Sequence, residues 1–336
     1  MARITLDVRV EKLRLAAPFR ISGFVFEEQD VAVVELHDGA HRGRGEASGV
    51  YYLDDKIDHI LETIESGRAT IESGLDRQAL QRLLPPGGAR NALDCAMWEL
   101  EASRTGVPVG ESAGVGALHP LVTTFTLGAD EPQKMADGAR KYNHARSLKL
   151  KLTGDLDTDI ARVQAVRSAR PEVWIGVDAN QGYNIGSLKG LIGELVRAKV
   201  SLLEQPLPRG REYELEGFVS PIPIAADESA LSLTDLPGLI GRFQIVNIKL
   251  DKCGGLTEGL AMARRAREIG LGVMVGNMVG TSLAMAPGFV LGQLCDVVDL
   301  DGPIFLSHDR TPGARYADGR IQCGEEIWGS GRASTA

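Results

Sequence analysis

The stretch 147-SLKLKLTGDLDTDIARVQAVRSARPEVWIGVDAN-180 holds two short apolar runs, Ser147–Leu152 and Val173–Val177, separated by a polar turn and a helix-forming segment. Runs of that kind read as buried strands, and the length between them suits a crossover helix joining parallel neighbours. The unit recurs on both sides. Strand candidates are Val122–Leu127, Ser147–Leu152, Val173–Val177, Ser201–Leu203, Ile222–Ala225, Gln244–Ile248, Gly272–Val275 and Val297–Leu300. They recur roughly every 25 residues, the length that strand, loop and helix require together, and a full set of this size closes a barrel. An open doubly wound sheet is the alternative.

Ahead of Pro120 the character differs. Strand-like runs, Ile4–Val10 and Asp30–Leu36, precede a helical one, Ala89–Ser103, in which Ala92, Leu93, Ala96, Met97 and Leu100 recur at helical spacing. Residues 1–119 therefore read as an α+β unit and 120–305 as the barrel. The turn-rich segment 306–336 is expected to return to the first unit, with its last residues disordered.

A formal charge of -8 argues against nucleic acid and anionic membranes as partners. The start MARITLDVRV has no long apolar core, no run long enough to span a bilayer occurs, and Cys95, Cys253, Cys295 and Cys323 form no close pairs. A cytoplasmic protein with reduced thiols is the expectation, and a homo-oligomer of closed symmetry is the expected assembly, the commonest one among soluble oligomers.

Barrel chemistry gathers where strands end, and here the ends are charged. The second candidate closes on Lys149 and Lys151, the third on Asp178 with Asn180, the fourth on Glu204, the fifth on Asp227 with Glu228, the sixth on Lys249, and the eighth on Asp299 and Asp301. Asp178, Glu204 and Asp227 come from adjacent strands, and hard oxygen ligands of this kind suit Mg²⁺. Each alone reads equally as a helix cap. Lys149 and Lys151, two apart, share the inner face, while Lys249 arrives from across the barrel. Lysines snorkelling to solvent are the plain alternative. Lys151 and Lys249 on opposite faces of one bound molecule would suit proton removal and return, and burial with cationic neighbours is expected to lower a lysine pKa.

The elements LKLKL, VDANQ, LLEQPL, AADES, NIKLDKCGG and DLDGP, in this order, together with GARNALDCAMWELEA, resemble the muconate lactonizing subgroup of the enolase superfamily over nearly the whole chain. The resemblance implies an α/β fold, a modified TIM (β/α)7β barrel with an α+β capping domain. It implies Mg²⁺ on Asp178, Glu204 and Asp227, an acid/base pair Lys151 and Lys249, and Lys149 polarising a substrate carboxylate. Asn180 would hold a metal ligand and Glu228 the Lys249 ammonium, while Lys252 is read as part of a turn. The shared step is removal of a proton α to a carboxylate through an enediolate, a chemistry known for such sites.

Asp299-Leu300-Asp301 resembles the motif with which dipeptide epimerases bind a free N-terminal amine; a turn before Gly302-Pro303 is the plain reading. An L,L-dipeptide is thus the expected small-molecule partner. L-Ala-D/L-Glu epimerase proper, N-succinylamino acid racemase and o-succinylbenzoate synthase are the alternatives, with an inactive binding barrel as the non-enzyme one. Thr126, Asn277 and Met278 are assigned to the substrate site. The loops 19–30 and 46–55 should cover it. There the arginine of Ala-Glu epimerases falls on Gly23, while Phe24, Val25, Phe26, Tyr51 and Tyr52 predict a hydrophobic or aromatic C-terminal side chain.

Overall fold

The structure, a computed structural model, describes residues 4–21 and 24–331, so Gly23 and the tail 332–336, for which disorder was expected, lie outside the described residues. The chain opens with an antiparallel sheet of β1 (Thr5–Ile21), β2 (Phe24–Asp38) and β3 (His41–Ala47). The segment 19–30 is therefore mostly hairpin and not loop: Phe19 pairs with Phe26 and Arg20 with Val25, beyond a register shift between Arg14 and Phe19. Aromatic and β-branched residues at these positions favour strand pairing. Three helices follow, α1 (Ile57–Glu72), α2 (Arg77–Leu83) and α3 (Gly88–Thr105), then the short α4 (Val109–Ser112).

Helix α3 is buried on nearly every side because it lies between the sheet and the barrel. Its close approach to β3 needs glycine: a Cβ on Gly45 would stand 1.9 Å from the Ala92 carbonyl oxygen. From α3, Arg90 donates to the Cys253 carbonyl at 2.6 Å, and Asp94 accepts from the backbone of Thr257 at 2.8 Å. These buried polar bonds fix the capping unit above the barrel rim.

The barrel is an eight-stranded sheet. A two-residue strand β4 (Leu121–Val122) precedes it, and then come β5 (Thr124–Leu127), α5 (Pro132–Lys141), β6 (Ser147–Lys151), α6 (Leu156–Ala169), β7 (Trp174–Asp178), α7 (Ile185–Arg197), β8 (Leu202–Glu204) and β9 (Ile224–Ala226). After these lie β10 (Ile245–Lys249), α8 (Leu250–Cys253), α9 (Leu256–Glu268), β11 (Gly272–Gly276), α10 (Ser282–Gly292) and β12 (Val297–Val298). Consecutive strands β5 to β12 are neighbours and pair in parallel, and β5 and β12 meet through side chains. Leu300 N donates to Thr123 Oγ1 at 3.0 Å, Thr126 N donates to Asp301 Oδ2 at 2.6 Å, and Thr124 Oγ1 donates to Asp299 Oδ1.

Three details depart from the expected pattern. The first strand candidate divides at Thr123, its first half pairing with β14 (Arg320–Gln322) of the hairpin it forms with β13 (Arg315–Ala317). The crossovers after β8 and β9 carry only 3-10 turns, Glu212–Leu215 and Leu233–Leu239, because Pro206, Pro208, Gly210, Gly217, Pro221 and Pro237 disfavour a helix there. The last strand ends at Val298, short of the Asp299–Asp301 motif.

The terminal segment lies on the capping unit: Trp328 Nε1 donates to the Arg44 carbonyl at 2.9 Å and Arg44 Nη2 to the Ile327 carbonyl at 2.7 Å. The lower barrel interior is filled by Leu202, Ala225 and Met274 with Trp174, Ile245 and Val297 packed on them, which leaves the upper interior for polar groups. All four cysteines are free, and no helix among the described residues is long and apolar enough to cross a membrane.

Candidate active site

Alternation along β6 sends Leu148 and Leu150 outward to the helices and Lys149 and Lys151 inward, where their side chains are only 4% and 11% exposed. Asp178 and Glu204 are the last residues of β7 and β8, Asp227 follows β9, and Lys249 ends β10. All are buried. An oxygen from each of Asp178, Glu204 and Asp227 lies within 4.8 Å of the others.

The cations interleave with these carboxylates. Lys151 Nζ stands 2.6 Å from Asp178 Oδ2, Lys249 Nζ 2.6 Å from Asp227 Oδ2, and Lys149 Nζ 2.8 Å from Glu204 Oε2 and 2.7 Å from Asp299 Oδ2. The Lys149–Glu204 contact is an ion pair without hydrogen-bond alignment, so Glu204 Oε2 remains a buried oxygen with no donor. Burial works to lower the pKa of Lys149 and of Lys249, but Asp299 and Glu204 at the first and Asp227 at the second outweigh it, and both ammoniums are held above the ordinary lysine range. The expected lowering is thus reversed at these two, because the acidic neighbours outnumber the cationic ones.

Two other expectations change. Glu228 was to hold the Lys249 ammonium, yet Lys249 is hydrogen-bonded to Asp227, and Glu228 Oε2 is a buried oxygen with no hydrogen-bond donor. Burial, then the charges of Asp227 and Asp178, push its carboxyl upward. Asn180 does hold Asp178, but through its backbone N–H to Oδ1 at 2.9 Å, from a left-handed conformation at φ 43° that asparagine tolerates.

Lys252 is no turn residue. Its side chain is fully buried, with Nζ donating to the Asp227 carbonyl at 2.5 Å, to Asp227 Oδ1 at 2.6 Å and to the Asn247 carbonyl at 3.0 Å. Asn247, also passed over in the sequence, donates from Nδ2 to Glu204 Oε1 at 2.8 Å. A usable signal existed for Asn247, which lies two residues before Lys249 and so on the same face of β10. None existed for Lys252.

The site opens into a pocket lined by Lys149, Lys151 and Lys249, by Thr126, Asn180, Asp227, Glu228, Asn277, Met278, Asp299 and Asp301, and by an apolar wall. Phe26 packs on Tyr51 with ring centroids 5.4 Å apart, Tyr51 on Tyr52 at 5.1 Å, and Phe19 on Phe305 at 4.6 Å. Val279 and Phe305 line the same pocket and carried no sequence signal, and Gln29 lines it from within the 19–30 segment expected to cover the site. Phe24 lies in β2, and its side chain is outside the description. Asn277 Nδ2 donates to the Asp299 carbonyl at 2.6 Å.

Three carboxylates converging beneath buried lysines at the top of a parallel barrel, under a separate capping sheet, narrow the family, and comparison with known proteins decides it. Residues 133–326 match the enolase C-terminal domain-like family, and residues 3–114 match the mandelate racemase / muconate lactonizing enzyme N-terminal domain. The chain belongs to the enolase superfamily. Among its superfamily relatives, an L-Ala-D/L-Glu epimerase of Escherichia coli is 37% identical over 319 residues, covering 94% of this chain and 99% of that one. An N-acetyl-D-glutamate racemase of Pseudoalteromonas is 41% identical over 261 residues, covering 77% and 82%. Among solved structures, an enolase family member from Agrobacterium tumefaciens with homology to dipeptide epimerases, bound to sodium and L-Ala-L-Glu, matches with a TM-score of 0.93. It is 38% identical, covering 97% of this chain and all of that one. A dipeptide epimerase from Enterococcus faecalis complexed with Mg and L-Leu-L-Tyr matches with a TM-score of 0.89 at 27% identity, covering 98% and 99%.

The residues present fit the divalent cation of this superfamily. Asp178, Glu204, Asp227, Glu228, Asp299 and Asp301 face Lys149, Lys151, Lys249 and Lys252, so full ionisation leaves two negative charges in excess. Burial, then Asp178, drives the Glu204 carboxyl pKa up, and its buried Oε2 has no hydrogen-bond donor. A divalent ion on hard oxygen donors balances that excess of charge.

Proposed function

We propose that this chain is a Mg²⁺-dependent dipeptide epimerase that inverts the α-carbon of the C-terminal residue of an L,L-dipeptide through an enediolate. The observation that carries this reading is the placement of Lys151 and Lys249 on β6 and β10, four strands apart in the eight-stranded barrel, on either side of the carboxylate cluster. Mg²⁺ held by Asp178, Glu204 and Asp227 would supply dense positive charge beside the substrate carboxylate. Lys149 adds a further fixed charge there, where the dianion develops. One lysine, in its neutral form, accepts the α-proton as the C–H bond breaks and its electron pair moves into the carboxylate. The opposite ammonium then delivers a proton to the other face of the planar carbon, and the reverse reaction exchanges their roles.

Just beyond the eighth strand, Asp301 and Asp299 offer negative charge to the substrate ammonium. Their partners differ, since Asp299 also holds Lys149 and Thr124 whereas Asp301 is held by the backbone of Thr126. Asp301→Asn is therefore expected to weaken free-amine dipeptides by about 1.5–3 kcal/mol, one to two decades in kcat/KM, and N-acylated substrates far less. Asp299→Asn should lower turnover of both, because it loosens Lys149. Steady-state kinetics on paired substrates checks this, and equal losses for both substrates in Asp301→Asn would contradict the amine assignment.

The wall of Phe19, Phe26, Tyr51, Tyr52, Met278 and Phe305 favours a hydrophobic or aromatic C-terminal side chain by burial. Among the described residues no arginine lines the pocket, and Arg20 is exposed on the hairpin. A glutamate side chain is the second reading, favoured by the L-Ala-D/L-Glu epimerase and N-acetyl-D-glutamate racemase relatives, 37% and 41% identical, whose names carry glutamate. A dipeptide library incubated in D₂O and read by mass spectrometry tests both. Deuterium should enter the C-terminal α-carbon with kcat/KM for Ala-Phe, Ala-Tyr or Ala-Leu above that for Ala-Glu. A clear preference for Ala-Glu would establish the second reading, and exchange in no dipeptide would refute the epimerase.

A further inference from the structure

Each of the three clustered carboxylates has one oxygen tied to the scaffold and the other facing a lysine. Asp178 gives Oδ1 to the backbone N–H of Asn180 and Oδ2 to Lys151. Glu204 gives Oε1 to Asn247 Nδ2 and leaves Oε2 beside Lys149. Asp227 gives Oδ1 to Lys252 and Oδ2 to Lys249. The pattern repeats on three strands with three unrelated donors, a main-chain amide, a carboxamide and an ammonium.

With these carboxylates taken as the cation ligands proposed above, we infer that Lys252 and Asn247 are positioning residues that force Glu204 and Asp227 to offer one oxygen apiece, and so set the site for Mg²⁺ against Ca²⁺. Lys252 cannot serve as an acid or base: its side chain has no exposed surface and its three N–H bonds are spent on the Asp227 carbonyl, Asp227 Oδ1 and the Asn247 carbonyl. It is a fixed charge that joins the end of β9 to β10. The Asn247 carbonyl is one of its anchors, and the Asn247 side chain is the donor on Glu204, so one linked pair orients two of the three ligands.

Mg²⁺ is small and holds six oxygens in a near-ideal octahedron, which single carboxylate oxygens and waters satisfy. Ca²⁺ is larger, takes more oxygens, and gains from carboxylates that chelate with both. Freeing the tied oxygen of Asp227 or Glu204 lets that carboxylate turn and chelate, which helps Ca²⁺ and does nothing for Mg²⁺.

The full-length protein, without dipeptide, is titrated with MgCl₂ and with CaCl₂ by isothermal titration calorimetry, as the wild type, Lys252→Met and Asn247→Leu. The ratio of the Mg²⁺ and Ca²⁺ dissociation constants is expected to move towards Ca²⁺ by about tenfold in each variant, the usual scale for groups that orient metal ligands. An unchanged ratio in a variant with a cooperative wild-type-like melt overturns the inference, even if both affinities fall together. Should Lys252→Met not fold, Asn247→Leu, which removes no charge, decides alone. A wild type that binds neither cation overturns the metal assignment and this inference with it, whereas a shifted ratio in a protein inactive on every dipeptide upholds the inference and refutes the substrate reading.

Discussion

Lys151→Ala and Lys249→Ala are each expected to abolish epimerisation, with a loss of about 10²–10⁴-fold or more for removal of one acid/base group. Inversion needs a proton taken on one face of the α-carbon and returned on the other, and the two lysines reach the pocket from β6 and β10. A single remaining lysine can still remove and return a proton on its own face. Each variant should therefore exchange deuterium into one stereoisomer of the dipeptide without inverting it, and the two variants should choose opposite stereoisomers. Proton NMR in D₂O on L,L- and L,D-dipeptides separates exchange from inversion. Normal racemisation by the double variant would rule out the two-base assignment.

Chelation is expected to remove activity as completely. Fully ionised, the six carboxylates of the site exceed the four lysines by two charges, and Glu204 Oε2 has no donor, so the apoprotein lacks the positive charge the dianion needs. It should stay folded all the same, because Lys149, Lys151 and Lys249 already pair with the ligands at 2.6 to 2.8 Å. Treatment with EDTA should leave the circular dichroism spectrum intact and abolish α-proton exchange, with recovery on adding Mg²⁺. Binding to the folded state alone raises stability by about 2.7 kcal/mol at a hundredfold excess over the dissociation constant, so Tm should climb with Mg²⁺. Glu204→Gln should lose both the activity and most of that climb. Full activity in EDTA-treated, metal-free protein would remove Mg²⁺ from the mechanism.

How far the site could be read in advance varied with how local its chemistry is. Lys149 and Lys151 were legible because strand alternation is a property of neighbouring residues, and the inward face follows once the strand is known. Asp299 and Asp301 were placed by the same rule on a strand, but β12 stops at Val298, and they sit where Thr123, Thr124 and Thr126 bridge β12 to β5. The segment 19–30 was read as loop because pairings such as Phe19 with Phe26 show themselves only when both strands are laid side by side. The apolar wall comes from that hairpin, from the turn at Tyr51–Leu53, from Met278 after β11 and from Phe305 after the last strand, four segments with no mutual sequence signal.

Read alone, the sequence determined the repeating strand-and-helix order and the identity of the charged residue each strand end presents, since both follow from periodicities of two and of about 3.6 residues within short windows. It could not assign the partners. At Leu250 the chain turns from β10 into the short helix α8, so Lys252, three residues beyond Lys249, folds back beneath Asp227 instead of continuing the alternation. Lys249 is hydrogen-bonded to Asp227 and Glu228 Oε2 finds no donor, and the lysines expected to be weakly basic have their pKa raised by acids brought in from distant parts of the chain. Hydrogen-bond partners and pKa shifts depend on distances between residues 20 to 150 positions apart, and closing the barrel is what sets those distances.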